Sequence, residues 1–429
     1  MMNHNKHILR RTMLAFSPKI LISLILTLSL ALIGCSPAGD ESGRKLKSDE
    51  AADDTGYNQI LKGDQIEGYR QARPGVPLSF PEDHGEHPDY RIEWWYLTAN
   101  LTADLDNDLA TQEGLRTNRE YGIQFTLFRN RMQPPAETEK EDAGWATPQI
   151  YMAHAALSTP TGHYEAEIFA RGGVGLVEVQ PEPFVVRIED WLFGKSKKAD
   201  VNLNATTPIT GDILPIQLAL DTGEFALDLE LSGNGAIALH GDNGFSRKHP
   251  TNEVGSYYYS MPHLSISGTV QLPEQEGGGE ISVSGLAWLD REWSSQYLSD
   301  EQTGWDWMSL HLDDGRGLMA FRLRQKDGNH YIYGSLITPE GEVTTLDRNT
   351  LEFEPIEYAK VSAPDGDGRE RVRPVPVGWQ VGLPTESLSW QVHALHADQQ
   401  MNTLFPYWEG AVLCAEPAQC RGYLELTGY

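Results

Sequence analysis

Cysteine is nearly absent from this chain: three occur in 429 residues. That excludes a disulfide-dense scaffold and a four-cysteine zinc site. Cys414 and Cys420, in CAEPAQC, are too far apart for a CxxC redox centre, and are expected to form one disulfide clamping a hairpin. Basic residues are also few, with 34 Lys and Arg against 61 Asp and Glu and a formal net charge of −27. A surface of that sign repels phosphate backbones and anionic lipid, which excludes nucleic acid and a bare membrane surface as partners. Several catalytic signatures are missing as well. The sequence has no GxSxG elbow, no P-loop and no complete GxGxxG. DLDND at 104–108 begins like a calcium loop but carries Leu109 where glycine is required. HGEH at 84–87 supplies two histidines without a third ligand, so neither a metal nor a cofactor is expected.

Long apolar runs are missing except at the start. Lys6, Arg10, Arg11 and Lys19 precede an uncharged stretch from Ile20 to Gly34, too short and too small-ended to span a bilayer. Residues 1–34 therefore read as a signal peptide. Leu32-Ile33-Gly34-Cys35 resembles a bacterial lipobox, which implies cleavage before Cys35, acylation of its thiol and, with Ser36 next, sorting to the periplasmic face of the outer membrane. Membrane contact would then be through the lipid anchor only. Residues 35–75 are polar, lack apolar periodicity and read as a tether.

What remains is rich in turn formers, with 41 Gly and 25 Pro punctuating short alternating runs such as YGIQFTLF, EFALDLELS, ISVSGLAWL and GYLELTGY. No long amphipathic helix is evident, and the fold class is all-β. A repeat suggests two related domains. HAALSTPTGH at 154–163 matches YGSLITPEGE at 333–342, each preceded by an alternating run ending in arginine (Arg129, Arg324). Upstream of those runs, IEWWY is paired with LDREW. The division is expected near residues 270–280, where PEQEGGGE reads as a linker or a long turn, giving a first domain over 76–275 and a second over 276–429.

Five carboxylates interrupt apolar stripes: Glu93 in IEWWYL, Asp290 and Glu292 in LAWLDREW, Asp306 in GWDWMSL and Glu409 in YWEGAVL. A desolvated carboxylic acid has a raised pKa and can protonate a bound ligand, so these are the candidate catalytic residues. The plainer alternative is that they pair with Arg91, Arg129, Arg291 or Arg324 as structure. Clustering of aromatics beside the acids makes Trp95, Tyr96, Trp293, Trp307 and Trp408 candidate ligand-lining residues. His154 joins them, although an imidazole on an apolar strand reads first as a satisfied core histidine.

EWWYLTANL, YYYSMPHLSISGTV, GLAWLDREWSSQ, GWDWMSLHLDDGRGLMAFRLR and YWEGAV together resemble the AttH family, which is similar to the carotenoid 1,2-hydratases (hydroxyneurosporene synthases). The resemblance covers about 76–429. It implies tandem lipocalin-like β-barrel domains and an apolar, isoprenoid- or lipid-like small-molecule ligand. It also implies acid-catalysed hydration or hydrolysis or, as a non-enzymatic alternative, a carrier or accessory subunit of a lipoprotein-exporter-like ABC transporter. One departure is plain: where the hydratases typically read D-H-N-W, this chain keeps Asp290 and Trp293 but has Arg291 and Glu292.

Overall fold

The computed structural model describes residues 67–104, 120–135, 147–195, 213–364, 369–415 and 419–429. The leader, Cys35 and most of the tether lie outside these residues. No described helix is long and apolar enough to cross a membrane.

The described chain is almost wholly β, in two antiparallel sheets. The first contains β1 (Ile92–Ala103), β2 (Glu120–Arg131), β3 (Gln149–Ser158), β4 (His163–Arg171), β5 (Val177–Pro181), β6 (Phe184–Ile188) and β7 (Trp191–Gly194). It continues through β8 (Ile216–Asp221), β9 (Ala226–Gly233), β10 (Ala238–Leu239), β11 (Phe245–Arg247), β12 (Gly255–Gln271) and β13 (Glu280–Ser294). The second contains β14 (Gln302–His311), β15 (Gly317–Gln325), β16 (Tyr331–Ile337), β17 (Val343–Asp347) and β18 (Glu352–Pro364). Then follow β19 (Glu370–Leu383), β20 (Leu388–Ala394), β21 (Gln400–Met401), β22 (Tyr407–Cys414) and β23 (Arg421–Leu426). Strand order is 4-3-2-1-13-12-9-8-7-6-5 in the first sheet and 17-16-15-14-23-22-20-19-18 in the second. Each sheet curls around its own apolar core, giving tandem β-barrel-like halves.

Alternation fixes which side chains enter which core. On β1, Trp95, Leu97, Ala99 and Leu101 fill the first core, while Ile92 and Tyr96 turn outward to a third cluster. That cluster contains Tyr258 and Trp288 of the first sheet with Trp305, Trp307 and Phe321 of the second. It is a layer between the sheets. The approach is close: a Cβ on Gly122 would lie 2.6 Å from that of Ala411, and Asn100 Nδ2 donates to the Gly422 carbonyl at 2.9 Å.

Two expectations need correction. Of the two readings of PEQEGGGE the structure has the turn, that of a hairpin with β12 and β13 paired from Gln271↔Glu280 down to Tyr257↔Trp293, so the expected boundary does not fall there. The change of sheet falls between Ser294 and Gln302, so residues 276–294 belong with the first half. The repeat is likewise re-registered. β14, carrying GWDWM, pairs with β15 as β1 pairs with β2. LDREW lies instead on β13, between β1 and β12. Cys414 and Cys420 are joined as a disulfide with Cα atoms 5.0 Å apart, at the ends of β22 and β23.

Candidate functional site

The five candidate acids face two different ways. Glu93 points into the first barrel and is fully buried. Arg129 Nε reaches it at 3.2 Å, Arg291 Nη2 lies 3.6 Å away, and the backbone N–H and ring of His87 also bond it. Burial opposes its ionisation, but these cations outweigh that and hold its pKa well below the usual carboxylate range. Asp306 points into the second barrel, bound by Arg322 Nε at 2.7 Å, by Arg324 and by the Tyr429 hydroxyl at 2.7 Å. Both are structural ion-pair centres and neither lines the pocket described below.

Asp290, Glu292 and Glu409 sit on the opposite faces, toward the layer between the sheets. They line one cavity, partly open to solvent, with Trp94, Tyr96, Trp305, Trp307 and Phe321 among its walls. Strand register builds it row by row. Across the first sheet, Asp290 on β13 neighbours Tyr96 on β1, which neighbours Thr126 on β2, which neighbours His154 on β3. The next row carries Glu292, Trp94, Phe128 and Met152. From the second sheet, Phe321, Trp307, Glu425 and Glu409 form a facing row.

Each acid has its own environment. Asp290 accepts hydrogen bonds from the Tyr258 hydroxyl at 2.6 Å, Trp288 Nε1 at 2.6 Å and the Ser260 hydroxyl. Burial overrides these donors and pushes its pKa up to about 7. Glu292 is bound by Lys248 Nζ at 2.6 Å and by the Ser256 hydroxyl. Glu409 is bonded by the Tyr96 hydroxyl and by Gln124 Nε2 at 2.8 Å, and Glu425 by Trp305 Nε1 at 2.8 Å. Glu409 and Glu425 are direct cross-strand partners. Like charges in that position repel, in a site that water screens poorly. Burial first, then the neighbouring carboxylate, raises Glu425, and burial raises Glu409. Both carboxyls are thereby biased toward their protonated forms. His154 bridges the Tyr407 hydroxyl and Glu167, at 2.9 Å each, and burial lowers its pKa, so it is a neutral hydrogen-bonding residue.

Tyr96, His154 and Trp307 line this cavity. Trp95, Trp293 and Trp408 do not. Trp95 is in the first core with the Arg291 guanidinium 3.9 Å over its ring, Trp293 stacks on His87 at 3.9 Å, and Trp408 is in the second core. Trp95 and Tyr96 are adjacent on a strand and cannot share a site; Trp94 is the tryptophan that faces the cavity. Sequence reading also missed Glu425, Lys248, Thr126 and Tyr407. Glu425 had a signal, an acid between two core leucines in LEL. Lys248 lies outside the strands and had none. No cluster among the described residues could hold a metal ion; His84 instead bonds Tyr259, and His87 bonds Asp83 and Glu93.

Comparison with known proteins agrees with this architecture. Residues 71–429 match a family model described as AttH-like. The crystal structure of an AttH protein from Nitrosomonas europaea is 33% identical and has a TM-score of 0.63, with 84% of this chain and 99% of that one covered. Kievitone hydratase from Nectria haematococca, at 13% identity and a TM-score of 0.54 over 86% of this chain and 98% of its own, shares the fold. No curated protein matches by sequence. Matched over most of its length and built as two curled sheets with an acid-lined cavity between them, the chain belongs to the AttH-like family.

Proposed function

We propose that the cavity binds an isoprenoid- or lipid-like ligand and hydrates a carbon–carbon double bond in it by acid–base catalysis. The observation that carries this is the Glu409–Glu425 pair: a buried and a half-buried carboxyl on neighbouring strands, facing aromatic walls, with no arginine among the described residues that line the cavity. One member holds the proton while the other is ionised. The protonated member gives its proton to one alkene carbon. Water adds to the other carbon, and its surplus proton goes to the ionised member. Atoms balance, and the pair ends with the same total charge. Asp290, half protonated near neutrality, is the alternative donor. Fold likeness to kievitone hydratase supports a hydratase-like role without naming the substrate. The setting proposed for this reaction is the periplasmic face of the outer membrane, with Cys35 as the lipid anchor.

A second reading has support of its own. Every lining carboxyl already accepts a hydrogen bond from the protein, as a static carrier serving an ABC transporter would require. One experiment separates the two. Material co-purifying with the protein is extracted, identified by mass spectrometry and returned to the protein in oxygen-18 water. Incorporation of one labelled water, abolished by Glu425→Gln, supports the hydratase; retention of an unaltered ligand supports the carrier.

A further inference from the structure

Charge accounting inside the cavity gives a sharper description of its ligand. Elsewhere in the fold a buried acid comes with guanidinium groups: Arg129 and Arg291 at Glu93, Arg322 and Arg324 at Asp306. In the cavity the lining acids are Asp290, Glu292, Glu409 and Glu425, and the cationic side chain among the described lining residues is Lys248. Lys248 is committed to Glu292 at 2.6 Å. Asp290 is held by three neutral donors. Glu409 and Glu425 have the neutral donors Tyr96, Gln124 and Trp305. Neither carboxyl of this pair has a cationic side chain paired with it among the described residues.

The walls are suited to receiving a cation. Trp94, Trp305, Trp307, Tyr96 and Phe321 line the same space, and aromatic faces attract cations. An independent sign of a missing occupant is Thr126. It is 2% exposed and lines the cavity, and its hydroxyl has no hydrogen-bond partner among the described residues.

We propose that the ligand of this cavity carries a positive nitrogen, a protonated amine or a quaternary ammonium, on its apolar body, seated between the Glu409–Glu425 pair and the tryptophan faces. This rests on the reading of the cavity as the ligand site, and adds to it the charge of the ligand. Neutralising the ionised member leaves the proton on the other member in place, so the acid needed for chemistry survives binding. Acidification that protonates both members removes the attraction. Glu292 is paired with Lys248 and His154 is neutral, so neither supplies a competing charge, while Asp290 in the same cavity adds to the attraction as it ionises.

The test uses the full chain and two isosteric probes, benzyltrimethylammonium and neopentylbenzene, with binding read from tryptophan fluorescence and calorimetry. The cation should bind at least about tenfold more tightly than its neutral isostere at pH 7. That preference should shrink on acidification and in Glu409→Gln/Glu425→Gln, and vanish when Asp290→Asn, the other lining acid with neutral donors only, is added, while the neutral probe keeps its affinity. Equal binding of both probes to the wild type overturns the charge assignment and leaves the cavity reading standing. Binding of neither overturns both.

Discussion

Glu93 and Asp306 each sit against two arginines, so replacing either by its amide leaves buried guanidinium charge without a counter-ion. Glu93→Gln and Asp306→Asn should each lose about 3–5 kcal/mol of stability in denaturant titration. The depressed pKa of Glu93 fixes the pH dependence. Its contribution is present above the unfolded carboxylate value of about 4 and is lost as pH falls below it. Asp290 behaves in the opposite sense. Its raised pKa means that the folded protein is favoured while the group is protonated and is progressively penalised as pH rises from about 4 through about 7. Asp290→Asn keeps the shape and can still accept from Ser260 and Trp288 through Oδ1. Thermal melts should therefore show this variant equal to the wild type near pH 4 and more stable than it at pH 8. A melt at pH 8 clearly below that of the wild type would mean that the Asp290 charge is structural.

At the level of elements, the cavity exists because β1 and β2 approach β22 and β23 closely. Gly122 and Ala411 are where the sheets nearly touch. Gly122 is not at a left-handed backbone angle, so an added methyl group costs contact rather than strain. Gly122→Ala should force the sheets apart and lose about 1–3 kcal/mol. It should also weaken probe binding, because the facing acid rows separate. A variant with unchanged melting temperature and unchanged binding would show that the interface yields freely. The same element-scale view explains why Trp293 and Trp408 looked like site residues. Tryptophan beside an acid on one strand is, by alternation, on the acid's other side.

For the whole molecule, the described residues from 67 to 429 fall in one compact unit, and a layer of aromatic side chains is shared by the two sheets. A ligand site built on such a shared layer depends on both halves at once. The N-terminal motif predicts a tethered protein. Metabolic labelling with a radioactive fatty acid should mark the wild type and leave Cys35→Ser unlabelled; equal labelling of the two would remove the anchor from the account.

The sequence by itself determined the strand class, because period-2 alternation between glycines and prolines has one physical solution. It determined the family, because motifs in fixed order survive without coordinates. It also placed Asp290, Glu292 and Glu409 among the candidates, since a carboxylate in an apolar strand is visible as a letter. Which acids meet was decided by tertiary structure. Glu409 and Glu425 are 16 residues apart in the chain yet adjacent across β22 and β23, and Asp290 joins them only when the second sheet packs on the first. Alternation says that two faces exist but not which one a barrel closes around. That choice put Glu93 and Asp306 inside with arginines and left the other acids in the layer between the sheets. The domain boundary was lost for a related reason: a glycine-rich hairpin turn and a linker have the same composition, and only the pairing of β12 with β13 tells them apart.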